Sequence, residues 1–120
     1  IAFSVSQPYK PDPSRLLAER TFAYGELGLT VQGSLDNYEG AIAIDLAGDY
    51  EFAIPYPEAS VETQLTLGSF VRRQVPVKNS LDLGFSARSL PSIGNLMFRD
   101  LVVTIDNRTK TLYLEKPPSR

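Results

Sequence analysis

The amino-acid sequence predicts an all-β domain of seven or eight short strands joined by hairpins, with one or two short helical turns. Three observations carry this. Residues 60–67 (SVETQLTL) alternate over their whole length and put Val61, Thr63, Leu65 and Leu67 on one face, the period-2 pattern of a half-exposed strand. Residues 101–105 (LVVTI) are almost wholly apolar and β-branched, which suits a strand buried on both faces. Turn-forming clusters recur along the chain at the intervals of a sandwich or barrel. No repeat of fixed period and no low-complexity segment interrupts them.

Taken in order, residues 1–5 (IAFSV) read as a short edge strand. Pro8, Pro11 and Pro13 then forbid both helix and central strand, since proline donates no N–H and fixes φ. Ser14 is placed to cap a short helix through Arg20, and the same residues read equally well as an extended arm. Residues 1–20 are therefore expected as an N-terminal arm or linker, residues 21–116 as the β domain and residues 117–120 as a C-terminal tail.

From Thr21 the pattern is β, with Gly25, Gly28 and Gly33 as breaks or bulges. Residues 35–40 form a turn and 41–44 a short buried strand, which stops at 45–49 (DLAGD). Residues 50–54 alternate as another strand, ended by Pro55 and Pro57. The 60–67 strand turns at Gly68-Ser69 and returns through 70–77, where Pro76 pushes it towards a sheet edge. A short apolar piece around Leu81 and Leu83 leads into a Gly/Ser/Arg loop. Residues 92–98 are a glycine-started turn or short helix, 106–110 (DNRTK) a polar turn, and 111–114 the closing strand of a hairpin with 101–105.

With 120 residues the chain is long enough for one domain with a modest core. A net charge of −2 with interspersed signs leaves no basic patch for nucleic acid, and no apolar run approaches a membrane span. The chain has no cysteine and no histidine. Disulfides, thiol nucleophiles and zinc–thiolate sites are thus excluded, as are Ser-His-Asp catalysis, histidine bases and histidine metal ligands. Any chemistry falls to carboxylates, Lys, Tyr or Ser. Ile1 is not an initiator methionine, so a processed form or an excised piece of a longer protein is expected. An exported or periplasmic location stays open.

Residues 92–115 resemble the C-terminal part of retropepsin-like aspartic protease domains, the bacterial members most of all. In that family an apolar-apolar-Gly turn leads into a short helix, then a buried strand ending in Asp, a polar turn and a closing strand. The counterparts here are Ser92-Ile93-Gly94, residues 95–98 (NLMF), residues 101–106 (LVVTID) and residues 111–114 (TLYL). The paired strands at 65–77 are similar as well, so the likeness covers roughly the last 60 residues. It implies a small retropepsin-like (acid-protease) barrel.

The family's chemical signature is apolar-apolar-Asp-Thr-Gly at a strand end. Its best positional match is Ala43-Ile44-Asp45-Leu46-Ala47-Gly48, where Leu46 stands for the Thr and Ala47 for the Gly. Asp82, in Ser80-Leu81-Asp82-Leu83-Gly84, is a second candidate. It ranks lower because it lies too close to Ile93-Gly94 for the intervening strands. The resemblance implies Asp45 as one carboxylate of a pair that activates a water, with no cofactor and no metal. One lobe supplies one carboxylate, so it also implies a second lobe or a homodimer partner and a peptide or protein substrate. The plainer reading of Asp45 is a turn residue at a strand end. A non-catalytic β domain, acting as partner lobe or protein-interaction module, is the alternative function.

Other features point to structure. The six tyrosines read as sheet-face or core residues before they read as a binding platform. Arg72 and Arg73 are adjacent on a strand and so face opposite ways, which fits a solvated edge. Asp36, Glu39, Asp45 and Asp49 lack the spacing of an EF-hand. Asn107-Arg108-Thr109 is a glycosylation sequon, of consequence in a eukaryotic secretory route alone.

Overall fold

A computed structural model describes the backbone of residues 2–5 and residues 9–25, 28–35, 38–55, 62–85 and 90–118 in full. Its strands are β1 (Ala2–Val5), β2 (Leu16–Gly25), β3 (Gly28–Leu35), β4 (Tyr38–Asp45), β5 (Phe52–Ile54), β6 (Glu62–Leu67), β7 (Phe70–Pro76), β8 (Lys78–Asn79), β9 (Ser92–Gly94), β10 (Val102–Asp106) and β11 (Thr111–Glu115). Two 3₁₀ turns, Ser80–Leu83 and Asn95–Phe98, are the helical elements among the described residues. The all-β expectation holds. The strand number does not: eleven strands among the described residues replace seven or eight. The surplus comes from β8 and β9, pieces of two and three residues that exist because distant strands pair with them, and from the run at 21–33, which is divided between the paired strands β2 and β3. Pro57, Val61 and residues 36–37 and 86–89 lie outside the described residues.

The strands form one mixed sheet in the order β1-β10-β11-β2-β3-β4-β9-β5-β8. The hairpin β6–β7 branches from β3 through the pair Ser34 and Thr66. Its Thr63, Leu65 and Leu67 are buried while Glu62 and Gln64 are exposed, as the alternation requires. Three pairings are parallel, β1 with β10, β4 with β9 and β5 with β8, and the rest are antiparallel.

Leu16–Arg20 is strand and not helix. Leu-Leu-Ala-Glu-Arg has good helix formers, but β11 supplies a partner: Leu114 pairs with Ala18, Tyr113 with Glu19 and Leu112 with Arg20. Burial of Ala18 in that pairing outweighs local propensity. Ser14 caps no helix, since its amide and hydroxyl both donate to Asp12 Oδ1 in a tight turn. The strand runs without a break through position 21.

Residues 9–12 are fastened to the hairpin β10–β11 by two carboxylates that are themselves fully buried. Asp106 Oδ2 accepts from the amide of Tyr9, 97 positions away, and Glu115 accepts from the Tyr9 hydroxyl and the Asp12 amide. Asp106 Oδ1 also accepts from the amides of Arg108 and Thr109, closing the hairpin turn. These amide donors, that of Tyr9 first, hold the Asp106 carboxyl below its ordinary pKa.

The buried apolar side chains form one core cluster, drawn from β2, β3, β4, β5, β6, β7, β9, β10, β11 and the second 3₁₀ turn. Ile42, Phe52, Leu65, Leu67, Ile93, Met97, Leu112 and Leu114 have no exposed surface, each contributing about 1.5–3 kcal/mol by leaving water. Arg72 reaches across to Asp100 at 2.9 Å, while Arg73 stays exposed. The consequence for function is at the ends of β4 and β9, which lie side by side.

Candidate functional site

Strand β4 carries Ala43, Ile44 and Asp45 into register with Ser92, Ile93 and Gly94 of β9. The apolar side chains of Ile44 and Ile93 go into the core, so the strand ends are fixed and Asp45 stands at the C-terminal end of β4, an interior strand between β3 and β9. The chain then turns sharply. The amide of Gly48 donates to the carbonyl of Asp45 at 3.1 Å, and the carbonyl of Gly48 accepts from the amide of Asn95 at 2.8 Å. Asn95 Nδ2 donates to the carbonyl of Leu46. The start of the 3₁₀ turn after β9 thus clamps the 45–48 turn through both backbone and side chain.

Asp45 is partly buried and lines a cavity of about 440 Å3 together with Gly28, Ala43, Ile44, Leu46, Ala47, Phe85, Leu90 and Ser92. That size is ordinary for a small-ligand or side-chain pocket. The walls are apolar, and Asp45 is their one carboxylate among the described residues.

Sequence reasoning missed two residues at this site. Tyr50 is 4% exposed, and its hydroxyl donates to Asp45 Oδ2 at 3.0 Å. The same hydroxyl lies 2.6 Å from Ser92 Oγ. Burial first, and the Asp45 carboxylate in addition, push the Tyr50 hydroxyl up to about 12, with the Ser92 bond working against them. Phe85 packs edge-on against the Tyr50 ring at 6.1 Å.

Two glycines make the room. A Cβ on Gly48 would lie 2.4 Å from Tyr50 Cε1 and 2.5 Å from Asp45 Oδ2. A Cβ on Gly94 would lie 2.1 Å from the Tyr50 carbonyl oxygen. The glycine that crowds the carboxylate is therefore Gly48, three positions after Asp45, with Ala47 carrying its Cβ on the cavity wall.

Leu46 turns against the core and presents no hydroxyl to the carboxylate. Asp82 is exposed on the 3₁₀ turn Ser80–Leu83 and is not among the residues that line the Asp45 cavity. Asp106 is a structural cap, as described. No group of three or more carboxylates converges as a metal-binding cluster among the described residues, and no helix there is long and apolar enough to cross a membrane. No protein-family model matches the sequence, and neither the curated proteins nor the solved structures yield a significant match.

Proposed function

We propose that the chain is one lobe of an aspartic-protease-like assembly of the retropepsin kind, with Asp45 as the carboxylate that this lobe contributes. The observation that carries the reading is the position of Asp45: the last residue of β4, beside Ile93-Gly94 of β9, on the rim of an apolar cavity. A second Asp, from a partner lobe or a second copy of the chain, completes the site. Two carboxylates at hydrogen-bond distance share one proton, because both cannot ionise so close together. The ionised one takes a proton from a water as that water attacks the peptide carbonyl carbon. The protonated one gives its proton to the carbonyl oxygen. Collapse of the tetrahedral intermediate then breaks the C–N bond with a proton delivered to the amine.

The test is cleavage of an unfolded protein substrate by the assembled protein at acid pH. Pepstatin-sensitive cleavage that is lost in Asp45→Asn and kept in Asp82→Asn supports the reading. Cleavage that survives Asp45→Asn overturns it. A second reading, a non-catalytic partner lobe or protein-interaction module, is favoured by one observation, the apolar, partly buried Leu46 packed against the core beside Asp45 where the family has a hydroxyl. Absence of cleavage by the wild-type assembly at every pH selects that reading.

A further inference from the structure

The 45–48 turn has no hydroxyl of its own, and one reaches the carboxylate from Tyr50. We infer that Tyr50, oriented by Ser92, is the positioning residue of this site: it holds Asp45 Oδ2 back and leaves Oδ1 as the oxygen that handles protons at the cavity. The role in hydrolysis rests on the function proposed above. The hydrogen-bond chain beneath it does not.

A proton count fixes the direction of the chain. The Tyr50 hydroxyl has one proton, which it donates to Asp45 Oδ2 at 3.0 Å. Its contact with Ser92 at 2.6 Å must therefore be a bond that it accepts, with Ser92 Oγ as donor. The sequence Ser92 to Tyr50 to Asp45 is thus set. Oδ2 accepts the Tyr50 hydrogen bond and does not carry the proton shared with a second carboxylate. Among the described residues Oδ1 has no hydrogen-bond partner, so the shared proton and the attacking water fall to Oδ1. Ser92 is an anchor and not a nucleophile, since its proton goes to a hydroxyl, which is no base.

The packing is arranged around the same side chain. Gly48 and Gly94 both clear space that Tyr50 fills, one at its ring and one at its carbonyl. The amide of Leu96 donates to the Tyr50 carbonyl at 3.2 Å, so the residue is held at both ends. A ring fixed in this way keeps its hydroxyl on Oδ2 without losing side-chain freedom at each turnover, which is how a supporting contact fixes a reacting group.

The experiment uses Tyr50→Phe, which keeps the ring and so keeps the packing, with Asp45→Asn as its counterpart. Ionisation of Tyr50 is followed by NMR of the assembled protein labelled at tyrosine Cζ, with Tyr50→Phe assigning the resonance. The expected result is that Asp45→Asn lowers the pH at which Tyr50 ionises by about one unit. An unchanged titration breaks the chain and overturns the inference. Kinetics are read on the same variants. Tyr50→Phe is expected to lower kcat about 10- to 100-fold at constant KM, the effect of one hydrogen bond to a charged group, and to move the pH profile of kcat. An unmoved kcat and pH profile in an active protein also overturns it. If the wild type cleaves nothing, the hydrolytic reading has failed, and the titration alone decides whether Tyr50 holds Asp45.

Discussion

Gly94 approaches Tyr50 so closely that a Cβ built on it would sit 2.1 Å from the Tyr50 carbonyl oxygen. That contact is with backbone, and the backbone is held by the Leu96 amide, so it has little freedom to yield. The corresponding clash at Gly48 is with the Tyr50 ring edge and the Asp45 carboxylate, which are side-chain atoms. Gly94→Ala is therefore expected to destabilise more than Gly48→Ala. Overpacking of this sort costs about 1–3 kcal/mol and sometimes more, and urea unfolding of the two variants measures the order.

The core separates two classes of leucine. Leu112 is fully buried between β10 and β2, and Leu112→Ala is expected to lose about 2–5 kcal/mol. Leu81 is 42% exposed on its 3₁₀ turn, and Leu81→Ala should stay within about 0.5 kcal/mol of wild type. Equilibrium denaturation of both variants checks the contrast.

Acid sensitivity should trace to Asp106. Its folded pKa is lowered by the amides of Tyr9, Thr109 and Arg108, so the folded state prefers the ionised form. The stability it contributes is fully present above the unfolded carboxyl value of about 3.9 and is lost as pH falls through the lower folded value. Asp106→Ala is expected to be less stable than wild type at pH 7, with the gap narrowing below about pH 4. Urea titrations at both pH values measure it. A gap that stays constant would contradict the assignment.

The Tyr9 hydroxyl donates to Glu115, a buried carboxylate. Tyr9→Phe leaves that acceptor short of a donor and should cost about 1–3 kcal/mol. It should also speed cleavage by an added protease near residues 9–12, because the fastening is lost there first. Peptide mapping of the early fragments tests this.

Much of the scaffold was legible where contacts are local. The β6–β7 hairpin follows from alternation and Gly68-Ser69, and the β10–β11 hairpin from its apolar run and polar turn. What was not legible depends on partners far along the chain. β2 was open to a helical reading at residues 16–20 because β11, almost a hundred positions away, decides it. The short strands β8 and β9 have too few residues for a pattern. The same division holds at the site. Asp45 became a candidate as the best positional match to the Asp-Thr-Gly pattern of the family that the sequence resembles. Tyr50 looked like an ordinary strand residue, and its bond to Ser92 spans 42 positions, which no spacing rule reaches. The nearest sequence clue was Gly48, which lies in the turn between Asp45 and Tyr50 and is needed there for space and not for a positive φ.

The central claim is that Asp45 works as half of a carboxylate pair. A crystal structure of the protein in its assembled form measures this as the distance from Asp45 Oδ1 to the nearest carboxylate of the second lobe or copy. The account predicts hydrogen-bond reach, about 2.6–3.2 Å directly or through one water. Asp45 facing solvent in that assembly, with no second carboxylate near it, would contradict the account.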